Sequence, residues 1–133
     1  MNRYLIDTHI LLWLIFDPDK INTAKLQLLK DPRNKIYVAN ITFWEIALKY
    51  GLGKLGLEGL TPDELPKLAE QMGLDVLPID QECMASFYKL PKTPTHKDPF
   101  DRIIIWACIR ENITLISQDG KFGEYQSHGL KWL

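Results

Sequence analysis

The chain has 133 residues, 46% of them hydrophobic and 25% charged, with a formal net charge of −1. That is the balance of one soluble globular domain over residues 1–133, and it excludes an overall basic field that would advertise a nucleic-acid partner, leaving local patches to decide. The two cysteines, Cys83 and Cys108, lie in apolar contexts without metal-ligand spacing and read as free thiols of a reducing, cytoplasmic compartment.

RYLID (3–7) is a short apolar run ending on an acid, the pattern of a buried strand. THILLWLIF follows with apolar residues at helical density, until Asp17-Pro18 takes the backbone out of helical space. Asp7 and His9 interrupt this apolar stretch and no small-residue cleavage site follows, so it reads as neither signal peptide nor membrane span. Residues 22–30 predict a second helix, stopped at Asp31-Pro32, and KIYVA (35–39) predicts a second strand. ITFWEIALKYG predicts a helix capped by Thr42 and stopped by Gly51. Residues 61–72 predict an amphipathic helix introduced by Thr61-Pro62, DVLPI (75–79) a strand, and residues 80–90 another helix. After the loop PKTPTHK comes the helix DPFDRIIIWACIREN, then the strand ITLIS (113–117) and a last strand in GLKWL (129–133). Strands alternating with helices imply crossover connections, hence a three-layer α/β/α domain with a mostly parallel central sheet.

In such a sheet ligands gather outside the carboxyl ends of the strands. Asp7 ends the first strand, Asp119 lies just past ITLIS, and Glu45 and Asp101 sit in first turns of helices facing the same edge. Each has a structural explanation. Asp7 can cap the first helix, and Glu45 completes a capping box with Thr42 and pairs with Lys49 at i, i+4. Asp98 fits an N-cap ahead of Pro99, with Asp101 in the dipole-favoured first turn, and Asp119-Gly120 is an ordinary turn pair. Those explanations do not account for four acids converging on one rim. Gathered carboxylates repel unless a cation compensates them, and an all-oxygen set suits Mg²⁺, or Mn²⁺. Such a centre activates water and clamps a phosphodiester.

LIDTHILLW, ITFWEIALKYGLGKL, HKDPFDRIIIWAC and LISQD together resemble, in order and spacing, the PIN-domain ribonucleases, and among them the VapC-like toxins of toxin–antitoxin pairs. The resemblance runs from Asp7 to the final GLKWL. It implies a PIN fold, Mg²⁺-dependent cleavage of RNA, an antitoxin partner and a homodimer. The family's acidic quartet maps onto Asp7, Glu45, Asp101 and Asp119 as catalytic, metal-holding residues. Asp98 and Ser117 also match family positions, and Asp98, Ser117 and Thr8 are candidate outer-shell residues. Ser117 stands where threonine is frequent, and Asn40 where serine is usual.

Lys49, Lys54 and Arg102 are candidate contacts to RNA phosphate, within a wider set around the rim that includes Lys92, Lys97 and Lys121. GLGKLG (51–56) matches a dinucleotide fingerprint only formally, because no strand precedes it. His9, His96 and His128 form no zinc spacing. Two other functions compete: a PIN-like module that binds RNA or protein without chemistry, and a phosphoacceptor domain using Asp80. The second lacks the adjacent acidic pair at the end of the first strand.

Overall fold

The structure is a computed structural model that describes residues 2–133. Four strands form one parallel sheet: β1 (Arg3–Ile6), β2 (Lys35–Ala39), β3 (Asp75–Leu77) and β4 (Thr114–Ile116), in the order β3-β2-β1-β4. Ile6 is in register with Val38 on one side and with Ile116 on the other. The central strand β1 therefore delivers its next residue, Asp7, to the middle of the carboxyl edge.

Side chains along the strands alternate between two cores, so the strands are apolar throughout rather than amphipathic. Leu5, Ala39, Leu77 and Leu115 face one layer, with Tyr125 and the buried side of α6 (Pro99–Glu111). Ile6, Ile36, Val38 and Ile116 face the other, where Ile10 and Leu11 of α1 (Thr8–Phe16) and Ile46 of α3 (Asn40–Gly51) pack. Helices α2 (Thr23–Lys30), α4 (Leu65–Gln71) and α5 (Gln81–Ser86) complete the two outer layers of the expected α/β/α fold.

Several boundaries differ from the sequence reading, each for a local reason. Helix α3 starts at Asn40 rather than after a Thr42 cap, because the Asn40 side chain reaches across to accept the Ile79 N–H at 2.9 Å. Thr42 is thereby buried inside the helix, and its hydroxyl has no partner. Glu45 forms no capping box with it. The helix runs through Gly51, and the left-handed residue that turns the chain is Gly53, at φ 73°. Strand β3 ends at Leu77 because Pro78 has no N–H to donate to a ladder. The final GLKWL is not a strand. Gly129 turns the chain at φ 100°, and only an isolated parallel bridge, Leu115 to Trp132, joins the last residues to β4. Residues 120–128 ahead of it form a 3-10 helix.

Helix α6 follows the expectation closely. The Asp98 carboxylate accepts the N–H groups of Phe100 (2.8 Å) and Asp101 (3.3 Å), Pro99 occupies the first turn, and left-handed Asn112 ends the helix. Cys83 and Cys108 are free and buried, and burial pushes the Cys108 thiol well above its ordinary range. Among the described residues no helix is long and apolar enough to cross a membrane.

The cap on α6 makes a specific prediction. Asp98→Ala is expected to lower the unfolding free energy by about 1 kcal/mol, and Asp98→Asn, which still accepts both N–H groups, by only a few tenths. Urea denaturation of both variants checks this, and equal losses would show that the Asp98 charge matters more than its cap.

Candidate functional site

Each of the four acids is positioned by a short local device at the carboxyl edge. Asp7 leaves β1 and caps α1, its carboxylate accepting the Ile10 N–H at 2.8 Å. The side chain is only 2% exposed. Burial pushes the Asp7 carboxyl above its ordinary range, and repulsion from Asp119 adds to the rise. Hydrogen bonding from Ser117 and the Ile10 N–H, with the nearby His9, opposes it.

Asp119 caps the 3-10 helix that follows β4, accepting the Lys121 N–H at 3.0 Å. Its own N–H donates to the Ser117 hydroxyl at 3.0 Å. Buried Ser117 thus connects Asp7 with the backbone of Asp119.

Glu45 lies one turn into α3 and is 2% exposed. One carboxylate oxygen accepts the Thr8 hydroxyl at 2.6 Å, and the other accepts Lys49 Nζ at 2.5 Å. Thr8 therefore ties the α3 acid to the residue next to Asp7. Lys49 is the internal counter-ion of this corner: the negative charges of Glu45, Asp98 and Asp101 hold its ammonium above its ordinary value, against the opposing effect of burial.

Asp101 sits in the first turn of α6 and accepts from or donates to His96 Nε2 at 3.2 Å, depending on the imidazole tautomer. Its carboxyl is pushed up to about 6, first by burial and then by repulsion from Asp98, with Glu45 adding a smaller rise. His96 is buried, stacked edge-on against Phe122 with ring centroids 4.6 Å apart, and its Nδ1 has no partner. That role was not legible from the sequence, because the five-residue spacing of His96 and Asp101 fits neither a helix nor a strand period.

The acids fall into two electrostatic groups, Asp7 with Asp119 and Asp101 with Asp98 and Glu45, joined by the Thr8–Glu45 hydrogen bond. Among the described residues no three His, Cys, Asp or Glu side chains close on a common point. Of the residues considered as phosphate contacts, Lys49 is engaged by Glu45, Lys54 is exposed past the end of α3, and Arg102 is held by Tyr125 and Leu90. Lys25, which the sequence did not single out, reaches the rim through the Ser117 carbonyl at 3.3 Å. Asp80 is occupied as the cap of α5, accepting the Cys83 N–H. Depressions of about 590 and 680 Å³, near Asn2 and Gln27 and near Leu14 and Met72, are lined by none of the four acids.

A PIN domain model matches residues 4–127. The chain belongs to the PIN-domain family. Members of that family are generally nucleases. The fold of this PIN domain is similar to that of VapBC2 from Rickettsia felis bound to a DNA fragment from its promoter, with TM-score 0.70 and 20% identity over 98% of this chain and 97% of that one. It is also similar to DNA-bound VapBC from Salmonella typhimurium, with TM-score 0.67 and 18% identity over 100% and 98% of the two chains. VapBC-1 from nontypeable Haemophilus influenzae gives 0.68 and 22% over 98% and 96%. No curated protein matches the chain significantly.

The donor chemistry of the PIN rim fits a hard divalent cation. The four acids offer only oxygen donors, and Asp7 and Asp101 are pushed up by burial and by neighbouring carboxylates, the condition that a cation relieves. Two separated groups rather than a closed cage suit an ion that keeps several of its waters.

The rise at Asp101 fixes a pH dependence. The Asp101 carboxyl is pushed up to about 6 in the folded chain from an ordinary value of 3.8, so the folded state holds this proton more tightly than the unfolded one. Stability without metal therefore falls as pH rises from about 4 to 6. In chelator at pH 7, Asp101→Asn is expected to be more stable than the wild type by about 1–2 kcal/mol, after discounting the weakened contact to His96. At pH 4 the two should converge. Denaturation at both pH values checks this; a constant difference would show that Asp101 is not raised.

Proposed function

We propose that this PIN domain is a metal-dependent endoribonuclease that cuts RNA phosphodiester bonds and serves as the toxin of a toxin–antitoxin pair. The observation that carries the reading is the set of four acids at one sheet edge, two of them buried and pushed up, within a chain of the PIN family. Three of the solved structures of similar fold are VapBC structures, which supports the toxin assignment and an antitoxin partner.

In this reading Asp7, Glu45, Asp101 and Asp119 hold Mg²⁺, or Mn²⁺, which when bound makes a water nucleophilic and offsets charge on the reacting phosphate. Asp7 lies at the N-terminus of α1 and Asp101 in the first turn of α6, where the helix dipoles favour their ionised, ligating forms. Ser117 orients Asp7 and the Asp119 backbone, Thr8 orients Glu45, and His96 orients Asp101. Fixing the acids in this way places the attacking water and the phosphate without rearrangement during the reaction. Asp98 shapes the turn and tunes Asp101 rather than binding substrate. Lys54 and Arg102 contact phosphate, and Lys49 holds Glu45 while adding positive charge beside the rim.

Trp44, Leu48 and Leu52, at successive i, i+4 positions of α3 and its end, are 60%, 40% and 60% exposed. Trp44 also meets Phe100 edge-on at 5.2 Å. An apolar stripe of this kind beside the acids supports a protein-facing surface for the antitoxin or a second copy of the chain. We read residues 1–133 as one cytoplasmic domain, consistent with two free, buried cysteines.

Cleavage of a mixed RNA pool by the purified chain tests the proposal. Cutting is expected with Mg²⁺ or Mn²⁺, none in chelator, and a loss of about a hundredfold or more in Asp7→Asn and Asp101→Asn. A folded wild type that binds RNA without cutting any of it would instead assign the chain as a binding module.

A further inference from the structure

A second charged feature shares His96 with the acids. His96 meets Asp101 through Nε2, and the same residue lines a separate depression of about 330 Å³ with Lys92, Thr93, Lys97 and Arg102. Three of those five residues are cationic. Among the described residues none of the three pairs with a carboxylate within 4 Å. Glu124, the acid nearest in sequence to the anchoring Tyr125, is bonded instead to the Thr95 hydroxyl.

The arginine is fixed in place before any ligand arrives. Arg102 Nε donates to the Tyr125 hydroxyl at 3.2 Å, one terminal nitrogen donates to the Leu90 carbonyl at 3.2 Å, and the guanidinium lies over the Phe87 ring at 4.9 Å. Tyr125 is fully buried, and its hydroxyl also meets Thr93 at 3.5 Å. One hydroxyl thus joins the guanidinium to the lip of the depression. Nη1, which has no protein partner, keeps its donors for an anion. Lys92 and Lys97 are exposed at the two ends of the same loop and supply mobile charge.

Like charges gathered without a directly paired carboxylate favour an anion that joins them, which is the mirror of the constraint on the acidic rim. The two features adjoin, sharing His96 and carrying the consecutive residues Asp101 and Arg102. We propose that the depression of Lys92, Lys97 and Arg102 binds a backbone phosphate of the RNA strand flanking the phosphate that reacts at the acidic rim. The inference rests on the ribonuclease reading above and adds to it a subsite that positions the strand. A phosphate held there reads no sequence, but it fixes the register of the chain relative to Asp101.

The test is the salt dependence of binding, measured in chelator so that nothing is cut, with a fluorescent mixed-sequence single-stranded RNA. Removing one neutralised single-strand phosphate lowers the slope of log affinity against log salt by about 0.7. Lys92→Ala/Lys97→Ala is expected to show that decrease and roughly a tenfold loss of affinity at 0.1 M salt. Lys30→Ala/Lys67→Ala, which removes two exposed lysines elsewhere, should leave the slope unchanged. Equal slopes in the wild type and Lys92→Ala/Lys97→Ala, or an equal loss in the control pair, overturn the subsite. If inorganic phosphate stabilises the wild type but not the variant against heat while the RNA slope is unchanged, the depression holds a free anion and the strand assignment is overturned. Metal-dependent cleavage by the wild type, run alongside, separates failure of the subsite from failure of the ribonuclease reading.

Discussion

Repulsion among carboxylates governs this molecule. The parallel sheet brings the ends of β1 and β4, the second turn of α3 and the first turn of α6 to a single edge, and each carries an acid. Folding the chain therefore concentrates negative charge where there is least water to screen it, which is why Asp7 and Asp101 are both pushed up. The polar groups around them read as compensation for that choice. Lys49 neutralises Glu45, helix N-termini favour Asp7 and Asp101, and hydroxyls from Thr8 and Ser117 occupy particular oxygens. The remaining deficit is the chemical reason to expect a cation.

The fold was largely legible because its strands are short, continuous apolar runs set between well-marked helices. RYLI, KIYVA and TLI needed only the alternation of elements to imply a parallel sheet and a site at its carboxyl edge. What the sequence hid was contact between distant segments. Asn40 begins α3 early because it bonds to Ile79, thirty-nine positions away, so the local preference for a Thr42 cap was overridden. The same holds for Glu45, whose spacing from Thr42 suggested a capping box but whose partners are Thr8 and Lys49. The last segment looked like a strand from its apolar residues, yet the turn at Gly129 leaves too few residues to build one.

For the site, the positions of the acids could be read from strand ends and helix starts, whereas their surroundings could not. In the sequence His96 stands beside DPFDR with its role open, and Tyr125 is an ordinary residue. Folding makes the first a neighbour of Asp101 and the second an anchor for Arg102.

The most direct test of this account is calorimetric titration of the metal-free protein with Mn²⁺ at pH 7. Saturable binding by the wild type, weakened at least tenfold in Asp7→Asn and in Asp101→Asn while both variants remain folded, is the result the account predicts. No saturable binding, or equal binding by all three proteins, would contradict it, because the charge gathered at the sheet edge would then have some counterpart other than a divalent cation.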